Sequence, residues 1–344
     1  MPFKVTLLPS NRTFSADTET SLLQAALDAE LLVPYGCRDG ACGACKAKVL
    51  NGQVDHGKAP LTTLPERERE AGMALLCCAH ARSDLSIECR DVRSAHDIPV
   101  RKLPCRVQSM EKLAPDVMLL RLRLPPSEVF QFLPGQYVDF LLADGQRRSF
   151  SIANAPGPDN TLELHVRLIP GGHFTGHVFS AMKERDILRI EGPLGSFSLR
   201  DTPENHAPQP IIFLAGGTGF APIKAIIEDM LAREIARPVT LYWGARDRSG
   251  LYQHELALSW AHRLPGFRYI PVISGETPEG WSGRTGLVHH AVIEDFPDLS
   301  QHQVYACGAP AMIDAAKKDF SELGGLPLNA FYADAFTFSA NNQV

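Results

Sequence analysis

The sequence predicts an α+β protein with several domains: a small mixed domain, then an antiparallel β-barrel, then an α/β domain with a parallel sheet. Three observations favour this architecture. Cysteines cluster in the first quarter, short β-rich runs alternate with turn residues in the middle third, and an apolar strand, glycines and a helical segment follow one another in the last third. We predict domains at 1–92, 103–205 and 206–344, with a linker at 93–102.

Composition excludes several classes of protein. Hydrophobic residues make up 44% of the chain and charged residues 21%, which is typical of a globular protein. A net charge of −5 argues against nucleic-acid binding, and no apolar run approaches the roughly 18 residues of a membrane span. Because the N-terminus lacks a signal-peptide core, we expect a cytoplasmic protein, in which eight cysteines serve metal binding or catalysis rather than disulfides. We also expect a monomer.

Local patterns predict the elements of the first domain. Residues 5–8 and 12–14 are typical of a β-hairpin. Ser21 and Gln24 form a capping-box pattern that opens a helix, and residues 46–50 read as a strand ending in an Asn-Gly turn.

The cysteine spacing of this domain predicts a metal cluster. Cys37, Cys42 and Cys45 have the C-x4-C-x2-C spacing of plant-type [2Fe-2S] sites, in which a distant fourth cysteine completes the ligands. That fourth ligand must be Cys77 or Cys78. Only one of them can reach the iron, because neighbouring residues in a strand or tight turn point to opposite sides. Structural zinc is the alternative for four thiolates, but the four-residue gap and the missing second C-x-x-C pair disfavour it.

A resemblance distinguishes the two candidate ligands. Residues 74–80 and 83–88 resemble the end of plant-type ferredoxins, which implies a β-grasp ferredoxin domain with Cys77 as the fourth ligand. Cys78 is then expected to be a small buried side chain.

The middle third has the strand spacing of a Greek-key barrel. β-Rich runs occur at 117–124, 135–142, 162–168 and 186–190. Arg148, Ser149, Phe150 and Ser151 lie on a further run, where an arginine is more often part of a surface ion pair than of a site.

A second resemblance assigns a function to this run. Arg148-x-Phe150-Ser151 resembles the R-x-[YF]-[ST] flavin motif of the ferredoxin–NADP reductase family, and residues 170–175 and 192–197 also match family segments. The resemblance implies a bound FAD, with Arg148 on its pyrophosphate, Phe150 stacked on the isoalloxazine and Ser151 near N5.

The glycines after the barrel strands belong to the same resemblance. Gly171 and Gly172 would let the backbone approach the flavin, and Thr175 would cap a short helix that faces the pyrophosphate. Ser149 is included among the residues expected to bind the cofactor.

The last third predicts a strand, a glycine turn and a helix. The apolar run 210–215 is typical of a buried parallel strand, and the glycine-rich turn at 216–219 would form an anion-binding helix N-terminus. The dinucleotide fingerprint is only partial, because Pro222 replaces the third glycine and the expected acidic residue is missing. A plain tight turn explains the glycines equally well.

Here too the ferredoxin–NADP reductase family is similar. The runs 216–222, 242–246 and 304–308 recur in that order in its nicotinamide half. The resemblance implies that NAD binds at Gly216, Gly217, Thr218, Gly219, Pro222, Arg246, Cys307 and Gly308. Cys307 is not expected to be a nucleophile, because no base stands beside it in the sequence and hydride transfer needs none.

Two further features concern the reacting groups. Phe336 lies in a terminal aromatic run that resembles the family's flavin-shielding segment, although an edge strand is the alternative; with Ser151 and Cys307 it completes the expected catalytic residues. Glu276 stands where NADPH-specific relatives carry Ser-Arg, so we expect NADH, while Arg246 and Arg248 leave NADPH open.

Together, these features are similar to those of iron–sulfur flavoprotein reductases. Such proteins accept two electrons as a hydride and pass them on one at a time. We expect an electron-accepting partner protein, either a sugar dehydrase or a terminal oxygenase. Residues 272–275, 281–283 and 294–299 resemble CDP-6-deoxy-Δ3,4-glucoseen reductases, while 243–246 and 249–252 are shared with reductases of aromatic-ring oxygenases. A redox sensor without turnover is a remote alternative, because a hydride route would be superfluous in it.

Overall fold

The computed structural model describes residues 2–89, 92–94, 98–200, 208–277 and 279–336, with the backbone alone at 93 and 94. The chain divides into two compact units. The first contains Met1–Pro99, Gly195–Phe197 and the segment from Asp334 onward, and the second contains Val100–Leu194 and Ser198–Ala333. The predicted boundary at 205/206 and part of the predicted linker lie outside the described residues.

The described residues of the first unit form one five-stranded sheet, two small sheets and two helices. Its strands are β1 (Phe3–Pro9), β2 (Arg12–Ala16), β3 (Leu31–Leu32), β4 (Lys46–Asn51), β5 (Val54–Asp55), β6 (Met73–Leu75), β7 (His80–Ala81), β8 (Leu85–Cys89) and β9 (Arg93–Ser94). Its helices are α1 (Leu22–Asp28) and α2 (Glu66–Glu70).

The five-stranded sheet has the order β2-β1-β8-β4-β6. β1 and β2 form the antiparallel hairpin that the sequence predicts, and β1 pairs with β8 in parallel. Val5 and Leu7 are fully buried because alternate residues of a strand face the same side. The predicted cap of α1 is confirmed, since Ser21 Oγ accepts a hydrogen bond from the Gln24 N–H at 3.2 Å. Within the predicted linker, β9 pairs with β3.

The middle of the chain forms a closed antiparallel barrel, as predicted. Its strands are β10 (Arg101–Ala114), β11 (Val117–Arg123), β12 (Tyr137–Leu141), β13 (Arg147–Ser151), β14 (Thr161–Arg167) and β15 (Ile187–Leu194), and α3 (His173–Ser180) follows β14. The order is β13-β12-β15-β10-β11-β14, and an Ile152–Leu164 bridge joins the two end strands. β10 includes the last two residues of the predicted linker, because Arg101 and Lys102 already pair with β15.

The last part is the predicted α/β fold with a parallel sheet. Its strands are β16 (Ile211–Gly216), β17 (Val239–Ala245), β18 (Phe267–Ile273), β19 (Arg284–Thr285), β20 (Gln303–Gly308) and β21 (Phe331–Ala335). Its helices are α4 (Phe220–Ala232), α5 (His254–Ser259), α6 (Val288–Asp295) and α7 (Pro310–Glu322).

Strand order explains the apolar run at 210–215. The sheet order is β19-β18-β17-β16-β20-β21, so β16 is central and pairs in parallel with β17 and β20. A strand covered on both faces buries every side chain, as β16 does from Ile211 to Ala215. Stacked rings of Phe220 and Trp243, with centroids 3.8 Å apart, pack α4 against β17. Among the helices described, none is long and apolar enough to cross a membrane.

Candidate cofactor sites

The four predicted cluster cysteines lie in two close pairs. The Cys37 N–H donates to Cys42 Sγ and the Cys42 N–H donates to Cys37 Sγ, both at 3.3 Å. Cys45 Sγ lies 3.2 Å from Cys77 Sγ. Positive φ angles at Arg38 (67°), Gly40 (89°) and Gly43 (71°) turn this loop around its sulfurs. None of the eight cysteines is in a disulfide.

The loop favours thiolate charge at Cys42. Hydrogen bonds from the Cys37 thiol and from the N–H groups of Cys37 and Ala44 lower the pKa of Cys42. The Cys42 contact and burial raise the pKa of Cys37. Sulfurs that receive backbone N–H donors can carry the negative charge of a metal-bound thiolate, so the donor set fits a [2Fe-2S] core.

Cys78 has different neighbours from Cys77. Its sulfur lies 3.7 Å from Cys77 Sγ. It also lies only 2.7 Å from where a Cβ would stand on Gly40, and Gly40 has a positive φ. Cys78 is therefore packed against the base of the cluster loop, and burial raises its pKa to about 12.

Sequence reasoning missed a carboxylate beside this loop. A Cβ at Gly36 would lie 3.2 Å from Cys42 Sγ and 3.4 Å from Asp334 Oδ1, so there is little room for a side chain between them. Burial raises the pKa of Asp334 to about 7. Its negative charge in turn opposes ionisation of Cys42. Asp334 lies two residues before Phe336, in the same terminal run, but nothing local in that run points to the cysteines.

A short segment from the end of the barrel braces the residue before Gly36. The Tyr35 N–H donates to Ser196 Oγ at 2.9 Å, and Ser196 Oγ donates to the Tyr35 carbonyl at 3.1 Å. The predicted run 192–197 thus contributes its last three residues to the unit that holds the cysteines.

On β13, the two adjacent arginines have different partners. Arg147 forms ion pairs with Asp139 and Glu191. Arg148 donates to the Arg147 carbonyl at 2.8 Å and to Gln146 Oε1 at 2.6 Å. No carboxylate among the described residues lies within ion-pair distance of Arg148, so its charge is available to an anion.

The other residues of the predicted flavin motif follow along β13. Ser149 Oγ donates to Asp139 Oδ1 at 2.6 Å, so this hydroxyl is used within the barrel. The half-buried Phe150 ring packs against Phe140 and Phe174, with centroids 5.7 and 5.5 Å away. Ser151, at the end of the strand, is buried.

The prediction that Thr175 caps a helix is wrong. α3 begins at His173 after Gly172, and no side chain caps it. Thr175 lies in the first turn, where its Oγ1 accepts a hydrogen bond from the Ile169 N–H at 3.1 Å. The hydroxyl therefore closes the turn that contains Gly171, whose φ is 73°. This leaves the first N–H groups of α3 without a side-chain acceptor from a cap.

The predicted nicotinamide turn lies at the carboxyl ends of β16 and β20. A 3-10 turn at Gly217–Gly219, containing Thr218, joins β16 to α4, and Pro222 is the third residue of that helix. A Cβ on Gly219 would lie 2.0 Å from the Cys307 carbonyl oxygen. One on Gly308 would lie 3.1 Å from the Gly216 Cα. Close packing of the two strand ends thus requires glycine at positions 219 and 308.

Gly217 and Cys307 complete this region. Gly217 has a φ of 53°, and its Cβ position lies 2.8 Å from Arg167 Nη1 on β14. The Trp243 indole donates to the Gly217 carbonyl at 3.0 Å. Cys307 is fully buried. Half-buried Phe336 follows β21, which is the edge strand of the sheet.

The residues predicted to choose between NADH and NADPH lie side by side. The Gly275 N–H donates to the Arg246 carbonyl at 2.8 Å, joining the segments that follow β18 and β17. Arg246 and Glu276 are both exposed.

Sequence reasoning also missed the contacts between the barrel and the α/β fold, which belong to one unit. Lys224 on α4 is buried, and its Nζ donates to the Ala153 carbonyl at 2.9 Å and to Glu163 Oε2 at 3.1 Å. His165 Nδ1 lies 2.9 Å from the Tyr252 hydroxyl. Burial, with Lys224 and then Arg121 nearby, lowers the pKa of His165 to about 3.

Three family models match consecutive parts of the chain. A 2Fe-2S iron-sulfur cluster binding domain matches residues 5–82. An oxidoreductase FAD-binding domain matches residues 104–199, and an oxidoreductase NAD-binding domain matches residues 213–318.

Similarity to individual proteins extends along almost the whole chain. The CDP-6-deoxy-L-threo-D-glycero-4-hexulose-3-dehydrase reductase of Yersinia pestis is 44% identical over 98% of this chain and 99% of its own. Reductase component 1 of terephthalate 1,2-dioxygenase from Comamonas is 37% identical over 98% of both chains. The crystal structure of Amycolatopsis cytochrome P450 reductase GcoB matches with a TM-score of 0.78 at 35% identity, covering 98% of this chain and 99% of that one.

Proposed function

Because this chain belongs to the family of iron–sulfur flavoprotein oxidoreductases, we propose that it takes a hydride from NADH and delivers single electrons to a dehydrase acting on a nucleotide-linked deoxysugar. The observation that carries this proposal is the 44% identity with the Yersinia pestis dehydrase reductase over 98% of the chain. The relatives are reductase components of several systems, so delivery of electrons to a partner protein is common to them.

The chemistry comes from three groups. When bound, the nicotinamide supplies two electrons as a hydride, FAD accepts the pair and passes electrons on singly, and the cluster carries one at a time. The chain's own residues bind and orient these groups.

We assign Cys37, Cys42, Cys45 and Cys77 as the cluster ligands. Their arrangement as two close pairs supports one pair on each iron atom. The backbone N–H donors to the sulfurs of Cys37 and Cys42 would stabilise added negative charge on that side of the cluster.

For the flavin, the unpaired charge of Arg148 supports a role in binding the pyrophosphate. Phe150 would offer its ring face to the isoalloxazine, and Ser151 a hydroxyl near N5. Gly171 and Gly172 would let the backbone approach the pyrophosphate.

For the dinucleotide, the turn at Gly217–Gly219 would receive the phosphates at the N-terminus of α4. Cys307 and Gly308, at the end of the neighbouring strand, would flank the nicotinamide, and Phe336 would shield the flavin before the nicotinamide enters. Glu276 next to Arg246 favours NADH, because a carboxylate there would repel a 2′-phosphate.

A second candidate acceptor is the terminal component of an aromatic-ring oxygenase. It is favoured by the 37% identity with the terephthalate dioxygenase reductase. The two proposals share the route from NADH to the cluster and differ only in the protein that receives the electrons.

The experiment reconstitutes the purified chain with NADH and each of two acceptors. One is a sugar-nucleotide dehydrase with its CDP-6-deoxyhexulose substrate, and the other is a terminal aromatic-ring oxygenase with its aromatic substrate. We expect NADH-dependent turnover of the sugar, measured by chromatography of the nucleotide products, at a rate at least about tenfold above that with the oxygenase.

Reduction of cytochrome c by NADH serves as the control for the shared route. If cytochrome c is reduced but only the oxygenase turns over, the deoxysugar role is wrong and the reductase assignment stands. If cytochrome c is not reduced by protein loaded with both cofactors, the reductase assignment itself is wrong.

A further inference from the structure

Three metal-ligating side chains meet on the α/β fold. His289 and His290 are consecutive residues near the start of α6, and Asp319 lies in the second half of α7. One ligand atom from each lies within 4.8 Å of the other two. Side chains of consecutive helical residues point in directions about 100° apart. Both histidine rings approach Asp319, so they lie on either side of the line along which α6 faces α7.

The distances between these atoms lie at or beyond the upper end of the range for hydrogen bonds. His289 Nε2 lies 3.4 Å from Asp319 Oδ2, and His290 Nε2 lies 3.7 Å from the same oxygen. No hydrogen bond joins either ring to the carboxylate in the part of the chain that the structure describes. His289 is also buried, and its Nδ1 has no hydrogen-bond partner. Among the described residues, the buried Nδ1 is therefore enclosed without a hydrogen bond, which is unfavourable.

The same distances suit an ion between the three groups. Zinc lies about 2.0–2.2 Å from imidazole nitrogen and carboxylate oxygen, and in a tetrahedral site two such ligands are then about 3.3–3.6 Å apart. The two nitrogen–oxygen separations of 3.4 and 3.7 Å are close to this distance between ligands. The third separation, between the two imidazole nitrogens, is at most 4.8 Å, so side-chain rotation would have to shorten it for all three ligands to share one ion.

Chemistry and access point to the same class of ion. Two imidazoles with one carboxylate suit zinc and other borderline transition metals rather than calcium or magnesium, which prefer oxygen ligands. The His290 side chain is 57% exposed and that of Asp319 23%, so an ion can enter from solvent and keep a water as its fourth ligand.

We propose that His289, His290 and Asp319 bind one divalent transition-metal ion, with Zn²⁺ as the reference metal, and that this ion ties α6 to α7. The site is separate from the iron ligands, because it contains no sulfur and both helices belong to the second unit. α7 directly follows β20, so a tie between these helices would stabilise the fold that holds the glycine turn.

The test uses the full-length, cluster- and flavin-loaded protein without an affinity tag, washed with a chelator and dialysed against Zn²⁺. Bound zinc and iron are counted by mass spectrometry, and the iron count verifies that the cluster is intact. We expect one zinc per chain, with binding weakened about tenfold or more in His290→Ala and in Asp319→Asn. The matched control is His262→Ala, which removes an exposed histidine outside the site and should leave zinc binding unchanged.

Zinc X-ray absorption on the same samples identifies the ligands. Nitrogen and oxygen at about 2.0 Å with imidazole scattering are expected, whereas sulfur at about 2.3 Å would mean that zinc had bound cysteines instead. The proposal is overturned by a sulfur shell, by the absence of a stoichiometric zinc, or by equal zinc binding in all three variants. Iron content and circular dichroism of each variant verify that a loss of zinc is not a loss of fold.

Discussion

Cys77 and Cys78 are adjacent in the chain, but their sulfurs have different surroundings. Cys77 Sγ faces Cys45 Sγ at 3.2 Å, whereas Cys78 packs beneath Gly40. Only a sulfur beside the other ligands can share an iron atom with them. Proximity in space therefore supports the choice of ligand that the resemblance to ferredoxins implies.

A pair of single substitutions tests this choice. Cys77→Ser should lose most of the cluster, because a hydroxyl is a poor ligand for iron in this setting, while Cys78→Ser should keep two irons per chain. Iron analysis and the EPR signal of the dithionite-reduced protein measure both outcomes. Loss of iron from the Cys78 variant together with retention in the Cys77 variant would exchange the two assignments.

His165 gives the second unit a pH dependence whose sign can be worked out. Burial, with Lys224 and Arg121 nearby, lowers its pKa from 6.5 to about 3. The unfolded chain therefore binds a proton that the folded chain does not between about pH 6.5 and pH 3. This contribution to stability is fully present above pH 6.5 and is lost as the pH falls toward 3.

We expect His165→Asn to flatten the dependence of unfolding free energy on pH between about 4 and 6, by up to about 1.4 kcal/mol per pH unit. Urea unfolding at several pH values measures it, and His262→Asn at an exposed position is the control that keeps the wild-type slope. An unchanged slope in the His165 variant would show that this ring is protonated in the folded protein. Half-buried His56 and His302, whose pKa values are also lowered, contribute to the slope that remains.

At the scale of elements, the turn between β16 and α4 depends on the end of β20. Gly219 has ordinary helical backbone angles, so conformational freedom does not explain its identity. The explanation is space, because a Cβ would lie 2.0 Å from the Cys307 carbonyl oxygen, and a backbone atom within a sheet cannot move aside.

Gly219→Ala should therefore push the turn and strand apart, with two results. The unfolding free energy should fall by about 1–3 kcal/mol, and the KM for NADH in cytochrome c reduction should rise severalfold. Gly176→Ala in α3 is the matched control, since nothing lies within 4 Å of its Cβ position, and alanine favours a helix. Equal behaviour of the two variants would contradict the close-contact explanation.

Sequence patterns within a few residues predict helices, strands and turns, but they do not predict contacts between distant segments of the chain. The hairpin of β1 and β2, the Ser21 cap and the buried strand β16 all follow from patterns within a few residues. Thr175 shows the limit of such patterns. Its hydroxyl could accept a hydrogen bond from a helix N–H, as predicted, or from the Ile169 N–H, and the structure shows the second. Asp334 beside Gly36 joins opposite ends of the chain, so no local pattern could reveal it.

At the scale of the whole molecule, the contact between the barrel and the α/β fold depends on a lysine, a residue type that is normally exposed to solvent. Lys224 is almost fully buried, and its ammonium group contacts Glu163 on β14 and Glu228 on α4. Burial alone would raise the pKa of Glu163, but the charges of Lys224 and Arg121 hold this pKa below its ordinary value. Hydride transfer requires the two predicted binding sites to stay in register, so a rigid contact between these parts serves catalysis.

Lys224→Met keeps most of the side-chain volume but removes the charge that faces Glu163. Arg121 still pairs with Glu163, so the carboxylate does not lose all compensation. We therefore expect a loss of about 2–3 kcal/mol in unfolding free energy, measured by urea denaturation, rather than the larger cost of an isolated buried charge. Arg233→Met, which removes an exposed ion pair with Asp229, is the control and should change stability by less than about 0.5 kcal/mol. Similar losses in both variants would mean that the buried lysine adds no more than a surface charge.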